Sequence, residues 1–272
     1  MQNNIFNLDG KKALVTGAGG LLGPKHAEAL LEFGASVVMT DVDLIPLKKA
    51  YSCLEEKFPG RVFMEKMDVT RKEEIERVSS IHPDINILIN NAAKDPKVTK
   101  DSGSLTPESR FENMSLSFFK EGIDAIIFGT FLTTQIICNS MLKIGGGVVL
   151  NISSDLGVIA PDQRIYKKEG IDDSLQPVKP ITYSAAKWSV LGMTKYLGVY
   201  FADKNIRVNC LSPTGVYNNH PEDFVQKLSS IIPMGRMADI NEYKGAIVFL
   251  CSDASSYMTG SNLIIDGGKT AW

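Results

Sequence analysis

Residues 12–24 read KALVTGAGGLLGP. A short β-branched run stops at a turn containing Gly17, Gly19, Gly20 and Gly23, and Pro24 follows where the first turn of a helix tolerates proline. A strand that feeds a helix through glycines lets backbone N–H groups approach a pyrophosphate, and the positive end of the helix dipole favours that anion. The stretch therefore predicts a dinucleotide-binding turn in which Leu22 also contacts the ligand. A tight turn with no ligand is the plainer alternative.

The alternation continues outward. SVVMTD, RVFMEKMD, INILINNAA, GVVLNISS, IRVNCLSP and SNLIIDGG read as strands. HAEALLEFG, IPLKKAYSCLEEKF, EEIERVSSI and residues 107–143, 182–202 and 242–252 read as helices. This βαβ rhythm predicts an α/β doubly wound fold, a seven-stranded, mostly parallel sheet with helices on both faces. No Pro/Ser-rich linker, composition shift or internal repeat divides residues 1–272, so a single domain is expected.

Lys plus Arg number 29 against 31 Asp plus Glu, a formal charge of -2, which argues against a nucleic-acid partner. Cys53, Cys138, Cys210 and Cys251 are scattered singly, which predicts no metal site and a reducing, cytoplasmic setting. The start, MQNNIFNLDGKK, lacks the apolar core of a signal peptide. Residues 125–142 carry no charge, but Thr130, Thr133, Thr134, Gln135, Asn139 and Ser140 are polar. A helix buried in the protein or at a subunit interface fits them better than a membrane span.

Asp41 ends SVVMTD, where a carboxylate accepts hydrogen bonds from adenosine ribose hydroxyls and repels a 2′-phosphate. NAD is expected over NADP. Asp41 could instead cap the next helix, although Asp43 is placed to do so. Asp68, in MDVT, reads either as a partner of the adenine amino group or as a cap. Tyr183 and Lys187 in YSAAK stand at i and i+4, on one face of a helix. An ammonium beside a phenol favours phenolate, as a general acid/base at neutral pH requires. Ser154 ends VVLNISS, where its hydroxyl can bond a carbonyl oxygen. A tyrosine and lysine at this spacing are, taken alone, common on solvated helices.

In order and across nearly the whole chain, TGAGGLLG, Asp41, MDV, NNAA, NISSDLG, YSAAK, RVNCLSP and SDASSYMTGSNLIIDGG resemble the short-chain dehydrogenase/reductase family. The resemblance implies a Rossmann fold in which Ser154 polarises the substrate oxygen, Tyr183 exchanges its proton, and Lys187 holds the nicotinamide ribose and depresses the tyrosine pKa. Hydride would pass between substrate carbon and nicotinamide. Asn90 would steady the central strand. Val69, Asn91, Ala92 and Ala93 would lie along the cofactor, and Pro213, Gly215 and Val216 near its carboxamide. The family is usually dimeric or tetrameric, partly through the long helix. The implied activity is an NAD(H)-dependent oxidoreductase of a secondary alcohol or ketone. APDQRIY, GVYNNHPEDF and GGKTAW are similar to members of bacterial surface-polysaccharide and flagellin-glycan synthesis, which points to a sugar or sugar phosphate. A 3-oxoacyl thioester reductase is an alternative, although such enzymes generally use NADPH. An NAD-binding scaffold without turnover is another.

The sequence departs from the family pattern in several places. Gly17, Gly20 and Gly23 follow the spacing of the longer sugar-nucleotide branch, with Leu21 where a glycine is usual. Ile126 stands where the family carries an asparagine that anchors a water relaying protons to the lysine, so Ile126→Asn is expected to raise turnover; Asn113 is a remote stand-in. The spacing from Ser154 to Tyr183 is roughly double the family's, and residues 159–180 read as an inserted loop that shapes the substrate site. KDPKVTK, residues 94–100, reads first as a solvated loop and second as a landing site for an anionic substrate.

Overall fold

The computed structural model describes residues 4–94 and 107–272. Its frame is β1 (Lys12–Thr16), α1 (Gly23–Glu32), β2 (Ser36–Asp41), α2 (Leu44–Lys57), β3 (Val62–Lys66), α3 (Lys72–Ile81) and β4 (Ile87–Asn90). There follow α4 (Leu116–Lys143), β5 (Gly147–Ile152), α5 (Ile181–Tyr200), β6 (Ile206–Pro213), α6 (Glu222–Ser230), α7 (Lys244–Cys251) and β7 (Asn262–Ile265). The seven strands run in the order β3-β2-β1-β4-β5-β6-β7, and every pairing is parallel. The order reverses between β1 and β4. Ligands of open α/β sheets bind beyond the strand ends at such a switch point.

Strands buried on both faces must be apolar on both, and they are. Val15, Met39, Ile89, Leu150 and Leu211 pack with α1 and α7, whereas Leu14, Val38, Leu88, Val149 and Val208 pack with α3 and α4. A polar ladder interrupts this core. Asn90 Nδ2 donates to Thr134 Oγ1 at 2.8 Å and to Asn151 Oδ1 at 2.9 Å, and Asn151 Nδ2 donates to Thr194 Oγ1 at 2.9 Å. The two asparagines are register partners on β4 and β5.

One local reading needs correction, and one helix adds to those expected. Residues 107–143 are not one helix: short 3-10 turns at Pro107–Ser109 and Phe111–Asn113 precede α4, which Ser115 caps by accepting the Phe118 N–H at 3.1 Å. α6 is additional to the helices read from the sequence. Its signals are acidic Glu222 and Asp223 in the first turn and the i,i+4 pair Phe224 and Leu228. α4 is long and apolar enough to cross a membrane. In the fold Ile126, Thr130, Thr133, Thr134, Ile137 and Met141 form its buried face, so it serves as a core helix.

Glu28 clamps the helices of one face. Its carboxylate meets Lys25 at 2.8 Å, Lys57 of α2 at 2.9 Å and Lys244 of α7 at 3.6 Å. Burial raises this carboxyl, but the Lys25 and Lys57 hydrogen bonds and the Lys244 charge outweigh it and bring it to about 2. A folded value below the ordinary 4.5 means that the clamp stabilises fully above about 4.5 and is lost as pH falls toward 2. Glu28→Gln is expected to cost about 2 kcal/mol at neutral pH, the scale of charged hydrogen bonds. In urea titrations the gap from wild type should narrow below pH 4.5; a gap constant with pH would contradict this clamp.

Candidate active site

At the switch point the chain passes close to itself. Thr16 Oγ1 accepts the N–H groups of Asn91 and Ala92 at 3.0 Å each, and Asn91 Nδ2 donates to the Thr16 and Gly17 carbonyls at 2.9 and 3.0 Å. Gly17 has φ 63°, and a Cβ there would stand 2.8 Å from Ala92 Cα. Glycine is required both by conformation and by space. A Cβ on Gly23 would meet the Gly17 carbonyl and Ala18 Cα, so this glycine seats α1 on the turn. Gly20, by contrast, meets only the Gly17 oxygen, at 3.2 Å.

Asp41 closes the turn from β2. Its Oδ2 accepts the Gly19 N–H at 2.9 Å and its Oδ1 the Asp43 N–H at 3.0 Å. Asp43 caps α2 through the Ile45 N–H, which leaves Asp41 free of that duty. Asp68 Oδ1 accepts from the Thr70 N–H and hydroxyl at 2.9 and 2.8 Å, a turn ahead of α3, whose cap position is Arg71. Gly17, Gly19, Gly20, Leu22, Asp41, Asp68, Val69, Asn91, Ala92 and Ala93 all line one cavity of about 790 Å³. Gly23 lies behind it.

The same cavity reaches Ser154, Tyr183, Lys187, Pro213, Gly215 and Val216. Ser154 follows β5; Tyr183 and Lys187 face it from α5. Lys187 is buried, and its Nζ donates to the Ile152 carbonyl at 2.7 Å. Its ammonium lies 5.6 Å from the Tyr183 ring centre, and that of Lys179, from the inserted segment, 4.2 Å. Two cations therefore flank this ring. The Ser154 hydroxyl donates to Asp155 Oδ1 at 2.7 Å, and Asp155 Oδ2 pairs with Lys269 at 2.8 Å.

Ile126 is shut in an apolar cluster with Ala186, Val190 and Cys210, and burial pushes the Cys210 thiol up to about 12. Tyr183 packs against this cluster, and an amide placed at Ile126 would be buried among apolar side chains, which sets a packing cost against the expected gain in turnover. Asn113 sits in a surface 3-10 turn, outside the cavity wall. Of residues 94–100, Lys94 lines the cavity and approaches Glu121 at 3.4 Å; the rest lie outside the described residues. No cluster of His, Cys, Asp and Glu able to hold a metal forms among the described residues.

The inserted segment adds its own wall. Ile165 and Tyr166 of a 3-10 turn pack on Phe224, Leu228, Ile232 and Met237, which ties the segment to α6. Asp162, Tyr166, Lys179, Asn218, His220 and Phe224 thereby border the outer cavity. Asp155 and Lys269 are site residues that spacing could not reveal, because they meet from opposite ends of the catalytic half.

The short chain dehydrogenase family model matches residues 11–166, and the enoyl-(acyl carrier protein) reductase model residues 173–270. An NAD-dependent glycerol dehydrogenase of Listeria innocua is 31% identical over 97% of this chain and 96% of its own. A 3-oxoacyl-(acyl-carrier-protein) reductase of Thermotoga maritima is 32% identical over 97% and 99%. The crystal structure of a short chain dehydrogenase from Leptospira borgpetersenii with bound NAD+ has a TM-score of 0.81 at 30% identity and covers 99% of this chain and 96% of that one. These matches run the length of the sheet described above, and the protein belongs to the short-chain dehydrogenase/reductase family, NAD(P)-binding oxidoreductases of CH–OH and carbonyl groups.

Proposed function

We propose that the chain is an NAD(H)-dependent oxidoreductase of a secondary alcohol or ketone in a polyol or sugar-like substrate. The observation that carries this reading is that Ser154, Tyr183 and Lys187 share one cavity with the Asp41-braced glycine turn. The residues fit a dinucleotide. Gly17, Gly19 and Gly20 leave backbone without side chains where phosphates would lie, and Leu22, Gly23 and the start of α1 bring the helix dipole to them. Asp41 keeps acceptor capacity beyond its two N–H partners and supports NAD over NADP. Asp68, Val69, Asn91, Ala92 and Ala93 would flank the adenosine side, and Pro213, Gly215 and Val216 the nicotinamide side. Bound there, NAD supplies the acceptor for the hydrogen and electron pair leaving the alcohol carbon.

The chain's own residues manage the proton. Tyr183 takes it from the alcohol or returns it to the ketone oxygen. Lys187, fixed by the Ile152 carbonyl, and Lys179 place positive charge beside the phenol, which favours its ionised form. Ser154 turns its hydroxyl to the reacting oxygen. Asp162, Asn218 and His220 around Tyr166 and Phe224 offer polar groups over aromatic surface, which suits hydroxylated substrates. The reading extends to the whole chain as a single domain, with residues 159–180 as its substrate loop. Half-exposed Phe128, Phe131, Trp188, Tyr196 and Tyr200 on α4 and α5 support assembly with further copies. Four free cysteines suit the cytoplasm.

Tyr183→Phe is expected to cut turnover at least about 100-fold with an unchanged unfolding midpoint, and undiminished turnover would refute its role. Fluorescence titration should give NADH at least about tenfold tighter binding than NADPH, with Asp41→Ser narrowing the difference, because like charges oppose at the 2′ position. Ile126→Asn should cost about 1–3 kcal/mol of stability as a buried unpaired amide. An unchanged melt with faster turnover would show that the amide reaches the proton path after all.

A further inference from the structure

Asp155 is buried, and its carboxylate is completely occupied. Oδ1 accepts from the Ser154 hydroxyl at 2.7 Å and from the Leu156 N–H at 2.8 Å. Oδ2 accepts from the Thr214 hydroxyl at 2.7 Å and from the Lys269 ammonium at 2.8 Å. A carboxylate has about four lone-pair sites, and here each has a donor. Ser154, Asp155, Thr214 and Lys269 all line the cavity. The pairing bridges β5, β6 and the segment after β7, so no single turn imposes it.

The hydroxyl of Ser154 has one hydrogen and two lone pairs. Its hydrogen goes to Asp155, and one lone pair accepts the Leu156 N–H at 3.2 Å. To bond a carbonyl or alkoxide oxygen, Ser154 must withdraw its hydrogen from Asp155 and leave Oδ1 one donor short. A simple ketone offers nothing in exchange. A substrate with a hydroxyl on the adjacent carbon does: that hydroxyl donates to Oδ1 as Ser154 turns away, and the number of hydrogen bonds is conserved. Lys269 lines the same cavity, and its ammonium has N–H groups beyond the one given to Asp155 Oδ2.

We propose that Asp155, locked by Lys269 and Thr214, is a specificity residue that selects vicinal diols and α-hydroxy ketones by exchanging the Ser154 hydrogen bond for one from the neighbouring hydroxyl. This rests on Ser154 meeting the reacting oxygen, and it names the substrate class of that site. A charge-assisted hydrogen bond is worth enough to set a preference of at least about tenfold.

Hydroxyacetone and acetone differ only in that hydroxyl. With NADH, wild type should reduce hydroxyacetone with a kcat/KM at least about tenfold above acetone. In Asp155→Ala/Lys269→Met, which removes both buried charges together, the ratio should collapse toward one, through a gain for acetone as well as a loss for hydroxyacetone. Asp155→Asn keeps an acceptor oxygen and should lose only part of the preference; it carries the test if the double variant does not fold. A wild-type ratio near one, or equal losses for both ketones in the variants, would overturn the proposal. Saturation-transfer NMR of the two ketones with NAD+-loaded protein reads the same preference without turnover. The binding ratio therefore decides this inference separately from turnover, on which the proposed function depends.

Discussion

The buried ladder Thr134–Asn90–Asn151–Thr194 sets the geometry of everything around it. Its side chains are at most 5% exposed, so any slip of α4 or α5 against β4 and β5 strands polar groups in a dry core. Such a group costs about 1–3 kcal/mol when left unpaired. The ladder thereby fixes the rotation and height of α5. Tyr183 and Lys187 project from that helix toward the end of β5, where Lys187 meets the Ile152 carbonyl and Ser154 follows. The catalytic half of the cavity is positioned by hydrogen bonds made well below it.

The nucleotide half depends on a different constraint, close backbone approach. Between β1 and β4 the turn at Gly17 touches Ala92, and Asn91 stitches the two together. Both halves open at the same end of the sheet because all seven strands are parallel. A dinucleotide spanning the switch point would join them, since Asp41 and Tyr183 line one cavity.

The alternation of strand and helix, the glycine turn and the placement of Asp41, Ser154, Tyr183 and Lys187 were legible in the sequence because each follows from a local period or spacing. α6 is missing from that reading because its helical signal is short, nine residues. Asp155 and Lys269 were invisible for another reason: nothing local marks a pair that forms only when the segment after β7 folds back across the end of β5. Asp43 shows the reverse case, in which a capping role weighed in the sequence appears in its local geometry. Ile126 was recognised as a departure, but whether it faced water or packing depended on Ala186, Val190 and Cys210, which only tertiary structure brings together.

The central claim is that this cavity moves hydrogen between a substrate carbon and a dinucleotide, and isotope transfer tests it most directly. The protein would be incubated with NAD+ and a panel of glycerol, 1,2-propanediol and related polyols carrying deuterium on the carbinol carbons, and the dinucleotide analysed by mass spectrometry. The account predicts that deuterium appears on the dinucleotide, one atom for each ketone formed. Binding of NAD+ with no label acquired from any member of the panel would contradict it.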